Sequence, residues 1–128
     1  MKSIANHIQT HADALNLRAK RNEILASNIV NAATPNFKAR DIDFNKALQA
    51  RMDIGPVNVS NERHFKFFTG TGDEAAQFRQ SINPSLDCNT VELHVEQMQF
   101  SENVMRYQTS LEFLNRKFSG LVSAIKGE

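Results

Sequence analysis

The chain has 128 residues, 15 Lys and Arg against 14 Asp and Glu, a formal charge of +1 and 41% hydrophobic residues. That length suits one domain, and the even charge balance excludes a protein whose main task is to track a run of phosphates. The single cysteine, Cys88, excludes an intramolecular disulfide and a Cys-rich zinc centre, and no run of ~18 apolar residues offers a membrane span.

The N-terminal segment opens Met1-Lys2-Ser3-Ile4-Ala5-Asn6-His7, with one positive charge and no apolar stretch behind it. No cleaved secretory signal is expected, which leaves the cytoplasm or an export route without cleavage. Residues 1–34 contain neither Gly nor Pro. Ala5, Ile8, Ala12, Leu15, Ala19, Asn22, Ala26 and Ile29 are separated alternately by three and four residues, and this heptad seam predicts one long helix over 1–34. The small alanines admit a partner helix closely. Asn22, the one polar member, reads as lying near the seam's edge, the other reading being a register-setting residue. Thr34 precedes Pro35 and is pushed out of the α region, which ends the helix. Leu17 and Ile24 lie about 180° round the helix from Leu15.

Two features of this helix invite chemistry. His7 and His11, four apart, would share a face, but His7-Ile8-Gln9-Thr10-His11 lacks the Glu of a metalloprotease helix and a third ligand, so both read as solvated. Arg18, Lys20 and Arg21 form a basic cluster, but Asp13 and Glu23 flank it and no helix-turn-helix break precedes it. They read as a solvated or subunit-facing strip.

The middle segment, 35–88, gathers Pro35, Pro56, Pro84, Gly55, Gly70 and Gly72 and reads as loop with minor helix and strand elements. Asp43 can cap a short helix carrying Phe44, Ala47 and Leu48. Val57 and Val59, then Phe65, Phe67 and Phe68, look strand-like. Gly70-Thr71-Gly72-Asp73 is a turn signal, and Asp73 starts a helical turn toward Phe78. Asp41 and Asp43 read as turn formers or caps rather than catalytic carboxylates. His64 and His94 have no neighbouring nucleophile, and Gly70-Thr71-Gly72 lacks the lysine of a phosphate loop. Nothing assembles an active site, so no enzyme, no metal, no cofactor and no small-molecule ligand is expected. Cys88, near a helix N-terminus with no base or resolving Cys, reads as incidental.

The strongest signal lies in residues 89–128. Phe100, Val104, Tyr107, Leu111, Leu114, Phe118, Leu121 and Ile125 form a second heptad seam without polar interruption. Asn89 with Glu92 resembles a capping box, and Gly127 sits where a stop belongs. Such a helix runs about 54 Å at 1.5 Å per residue, whereas a compact globule of this length is about 36 Å across, so an elongated molecule follows. The expected fold is mainly α: two long terminal helices pairing as a coiled-coil-like hairpin, with Ile8, Leu15 and Ile29 against the seam from Phe100 to Ile125. Both helices also carry apolar residues off the seam. A two-helix hairpin cannot bury both faces, and the middle segment is short and polar. Leu17, Ile24, Met98, Met105 and Phe113 are therefore expected to face neighbouring subunits.

Two blocks of residues carry a resemblance. Ala14-Leu15-Asn16-Leu17-Arg18, then Arg21, then the run from Ile24-Leu25-Ala26-Ser27-Asn28 through Thr34-Pro35-Asn36-Phe37 to Ala39-Arg40-Asp41-Ile42-Asp43-Phe44, resembles the N-terminal signature of bacterial flagellar rod, hook and hook-associated proteins. Leu86-Asp87-Cys88-Asn89-Thr90-Val91-Glu92-Leu93, Glu102-Asn103 and Tyr107-Gln108 agree, and the spacing in so short a chain is that of proximal-rod members. Together they span about 70 of the 128 residues. The chain departs at Ala33, where the family carries Asp, and at Cys88, where it carries Gly and a left-handed backbone is wanted. The resemblance implies a structural subunit of the flagellar basal body, exported uncleaved by the flagellar type III apparatus and polymerised with other rod subunits into a periplasm-spanning, torque-transmitting rod. It implies no nucleic acid partner and no integral membrane segment. Against it stand a helical nucleic-acid-binding regulator using Arg18, Lys20 and Arg21, and a helical type III secretion-associated protein such as a chaperone, for which an acidic charge is expected.

Overall fold

Two helices carry most of the described residues. A computed structural model describes residues 2–53, 76–81 and 85–127. In order these form α1 (Lys2–Val30), β1 (Arg40–Ile42), α2 (Phe44–Asp53), β2 (Ala76–Phe78) and α3 (Leu93–Lys126). The strand-like stretches at Val57, Val59 and Phe65–Phe68, and the Gly70–Asp73 turn, lie outside the described residues, as does the side chain of His7.

Free of Gly and Pro, α1 runs unbroken for 29 residues, and α3 runs for 34, lengths of about 44 and 51 Å. They pack antiparallel: Asn28 reaches Glu96, Asn22 reaches Asn103, and the His11 ring lies 5.1 Å from that of Phe113. The expected terminal pairing holds, with shifted ends. α1 stops at Val30, short of Thr34, where Asn31 donates its side-chain amide back to the Ser27 carbonyl (2.8 Å). At its other end α3 stops at Gly127, whose φ of 76° and N–H to Ser123 O (2.9 Å) form a left-handed cap.

The expected Asn89–Glu92 capping box does not form. α3 begins at Leu93 with Glu92 as N-cap, and no side chain caps it. Asn89 is turned away: its Nδ2 donates to the carbonyls of Asn31 (3.1 Å), Ala32 (2.8 Å) and Thr34 (3.1 Å). It thus ties down the turn that follows α1. Around it the loop leaving α1 pairs with the loop approaching α3. Asn36 N–H donates to Asp87 O (2.9 Å), Thr90 N–H to Phe37 O (3.1 Å), and Ala39 N–H to Thr90 Oγ1 (2.8 Å). Asn36 (φ 61°) and Cys88 (φ 59°) are both left-handed here. Asn tolerates that conformation; Cys strains in it.

β1 pairs antiparallel with β2, Asp41 opposite Gln77, and Arg79 N–H to Ala39 O (2.9 Å) extends the ladder. Phe78 is therefore in a strand, not in the expected helical turn. Asp43 caps α2 as expected, accepting from Lys46 N–H (3.2 Å). The strand pair and α2 lie along the middle of α1, where Leu17, Ile24, Ile42 and Ala47 form a buried cluster with Phe44 and Ala76 against it. This overturns the assignment of Leu17 and Ile24 to a subunit interface. The middle segment turns back sharply after Asn36, so Ile42 and Ala47 arrive on the face that a bare hairpin would expose.

Two outcomes follow. The double variant Leu17→Ser, Ile24→Ser should lose about 2–4 kcal/mol per site and unfold, read by circular dichroism and thermal melting. Cys88→Gly should relieve the left-handed strain and raise stability by about 1 kcal/mol, read as a higher urea midpoint at unchanged slope.

Candidate functional site

The described residues of the expected apolar seams are half-buried at most. Ile8, Leu15, Ile29, Phe100, Val104, Tyr107, Leu114 and Leu121 are half-buried, while Leu111 and Phe118 are partly open and Ile125 is 85% exposed. Ile125 thus lies outside the buried part of the expected seam. The deepest positions are mostly polar. Leu25, Asn28, Glu96 and Asn103 are each 1% exposed or less.

These groups form a connected clasp. Asn28 holds β1 as a neighbouring strand would: its Nδ2 donates to Arg40 O (2.7 Å) and its Oδ1 accepts from Arg40 N–H (3.1 Å). The same Nδ2 donates to Glu96 Oε2 (3.1 Å), and Arg79, just past β2, donates to Glu96 Oε1 (2.9 Å). One turn along, Arg21 makes a two-pronged ion pair with Asp41 (2.8 and 2.9 Å) and donates to Gln99 (2.8 Å). Hydrogen bonding to Asp41 pushes the Arg21 guanidinium above its ordinary value. Further on, Asn103 donates to Arg18 O (2.9 Å) and Asn22 Oδ1 (2.8 Å).

Asn22 is therefore a cross-helix partner and not an edge residue. The basic cluster is not a free strip either: Arg21 holds Asp41, Lys20 pairs with Glu23 (3.3 Å), and Arg18 stacks on Phe44 at 4.2 Å. His11 is half-buried against Phe113 rather than solvated. Among the described residues no three His, Cys, Asp or Glu side chains are placed to hold a metal, and no helix is long and apolar enough to cross a membrane.

Glu96 escaped the sequence reading because a lone Glu on a charged helix normally faces water. Its signal was spacing: Glu96 and Asn103 stand one heptad apart beside the Phe100 seam. Asn28 and Asn103 lay within the two blocks that carry the family resemblance.

The outer surface of α3 has a different character. Met98 is 62% exposed and Met105 68%, one heptad apart, with Phe113 exposed about 60° round the helix from Met98. Residues 8–38 match a family described as flagella basal body rod protein. Flagellar basal body rod protein FlgB of Cereibacter sphaeroides is 51% identical over 128 residues, covering all of both chains. The chain belongs to the FlgB family of flagellar basal body rod proteins. Further members are similar across nearly the whole chain. The Aeromonas hydrophila FlgB protein is 46% identical over 122 residues (92% of this chain, 91% of that one), and that of Escherichia coli K12 38% over 122 residues (89% and 88%). As a FlgB-family member the chain is a structural rod subunit of the flagellar basal body and not an enzyme. The clasp fits that role: it joins the FlgB signature on α1 to α3 in one register.

Glu96→Ala should leave Arg79 without its carboxylate and Asn28 with one bond fewer, costing about 2–3 kcal/mol. Urea unfolding should show this, and a double-mutant cycle with Arg79→Ala should return a coupling of about 1 kcal/mol or more.

Proposed function

We propose that this subunit polymerises through its paired terminal helices into the proximal rod, which crosses the periplasm and transmits torque. It reaches that site through the flagellar type III export apparatus with its N-terminus uncut. The observation that carries the reading is the exposed apolar surface of α3, Met98 and Met105 above all, on a helical hairpin of the FlgB family. Exposed apolar patches of this kind mark sites of association, and methionine adapts to irregular partners. Phe113 joins that interface at its edge, being 45% exposed and in contact with His11. The buried polar clasp supports load transmission. Sliding one helix on the other would strand Glu96 and Asn103 without partners, so torsion meets one register. The nucleic-acid reading loses its basis, because two of its three cations have carboxylates of their own, Arg21 with Asp41 and Lys20 with Glu23.

The test is the double variant Met98→Ser, Met105→Ser. Both side chains are largely exposed, so helical content and melting should stay near wild type. The variant should nevertheless fail to restore motility, or its own presence in purified basal bodies, in a strain lacking the protein. Normal assembly would move the interface away from this face.

A further inference from the structure

A cavity of about 460 Å³ opens where β1, the start of α2 and β2 meet the middle of α1 and α3. Four guanidinium groups line it, those of Arg18, Arg21, Arg79 and Arg106, and Phe44 and Phe78 complete its apolar part. Three of the arginines have carboxylates of their own: Arg21 holds Asp41, Arg79 holds Glu96 and Arg106 pairs with Glu102. Asp43, also in the wall, caps α2 and pairs with Lys46 at 3.7 Å.

Arg18 differs. It lies on the Phe44 ring, its Nε is buried without a hydrogen-bond partner, and among the described residues no carboxylate pairs with it. Burial, and then repulsion from Arg106 and Arg21, push its guanidinium below its ordinary value, against a weaker attraction from Glu102, which is itself paired with Arg106. A partly desolvated cation beside like charges is stabilised by an incoming carboxylate, which its planar fork can hold through two hydrogen bonds.

Asp87 is the counterpart. It stands on the exposed turn before α3, and its contacts are with Ser85 Oγ and the Asn89 N–H, with no cation among the described residues. Those bonds hold its carboxyl below the usual carboxylate range, so it is charged at neutral pH. Leu86 beside it is fully exposed, and Phe78 at the cavity is 73% exposed.

We infer that the arginine-lined cavity receives Asp87 of a second copy of this chain, with that copy's Leu86 against Phe78. The inference rests on the rod reading above. The two patches lie on different parts of one chain, so the contact joins unlike surfaces. A reciprocal form would close a pair; the head-to-tail form, the one a rod requires, extends a row of subunits.

Charge exchange tests it in full-length protein in cells. Arg18→Glu and Asp87→Arg should each reduce incorporation into basal bodies about tenfold or more, since each places like charges together. The combined variant should recover most of the loss. Circular dichroism checks that each single variant keeps its helices. A second measurement does not depend on Arg18. Cys88 is exposed beside Asp87, and Gln77 is exposed at the cavity wall. In Gln77→Cys rods, a short bismaleimide should join Cys88 of one subunit to position 77 of the next and give a ladder of trimers and longer products. Adding Cys88→Ser should leave dimers at most. Basal bodies that contain the Gln77→Cys protein without a ladder, or a combined charge variant no better than the singles, would overturn the contact and leave the rod reading standing. Wild-type protein absent from basal bodies would overturn both.

Discussion

A carboxylate withdrawn from water must be paired and hydrogen-bonded or it unfolds what surrounds it. Glu96 is 1% exposed in the middle of a two-helix interface, and the arrangement around it meets that demand. One oxygen takes Arg79 from just past β2, and the other takes Asn28 from α1. Because Asn28 also holds both backbone groups of Arg40, a single acidic side chain on α3 fixes the positions of α1, β1 and the end of β2. The apolar cluster of Leu17, Ile24, Ile42 and Ala47 then forms on the layer that this polar junction has placed.

A similar economy governs the crossing between the two long helices. The amide of Asn89 donates to three carbonyls of the turn that follows α1. Its neighbours pair backbone to backbone with the loop that leaves α1. This close approach needs left-handed backbone on both sides, at Asn36 and at Cys88. One of those residues suits the conformation and the other does not, so a departure from the family pattern at Cys88 leaves the geometry in place and strains it locally.

These features divide between inside and outside. The clasp specifies one register, whereas the outer surface of α3 leaves Met98 and Met105 exposed. Polar specificity lies within the subunit and adaptable apolar area lies outside it. An all-apolar seam would hold the helices together with less control over sliding.

Much was legible in residue order alone. Heptad spacing, free of Gly and Pro in α1 and with Gly120 alone inside α3, determined two long helices and their pairing, Asp43 marked the start of α2, Gly127 marked a left-handed stop, and the blocks around Asn28 and Asn103 pointed to the rod family. Those are local properties: period, capping and backbone conformation act within a few residues. Tertiary structure decided what depends on distant segments. Only the fold could show that β1 and α2 cover Leu17 and Ile24, because 40–47 must first turn back along α1. Asn89 holds the turn after α1 instead of capping α3 because carbonyls more than fifty residues earlier lie within its reach. Glu96 is buried because Arg79 and Asn28 converge on it, and a charge is tolerated inside a protein only when partners from elsewhere in the chain arrive to meet it.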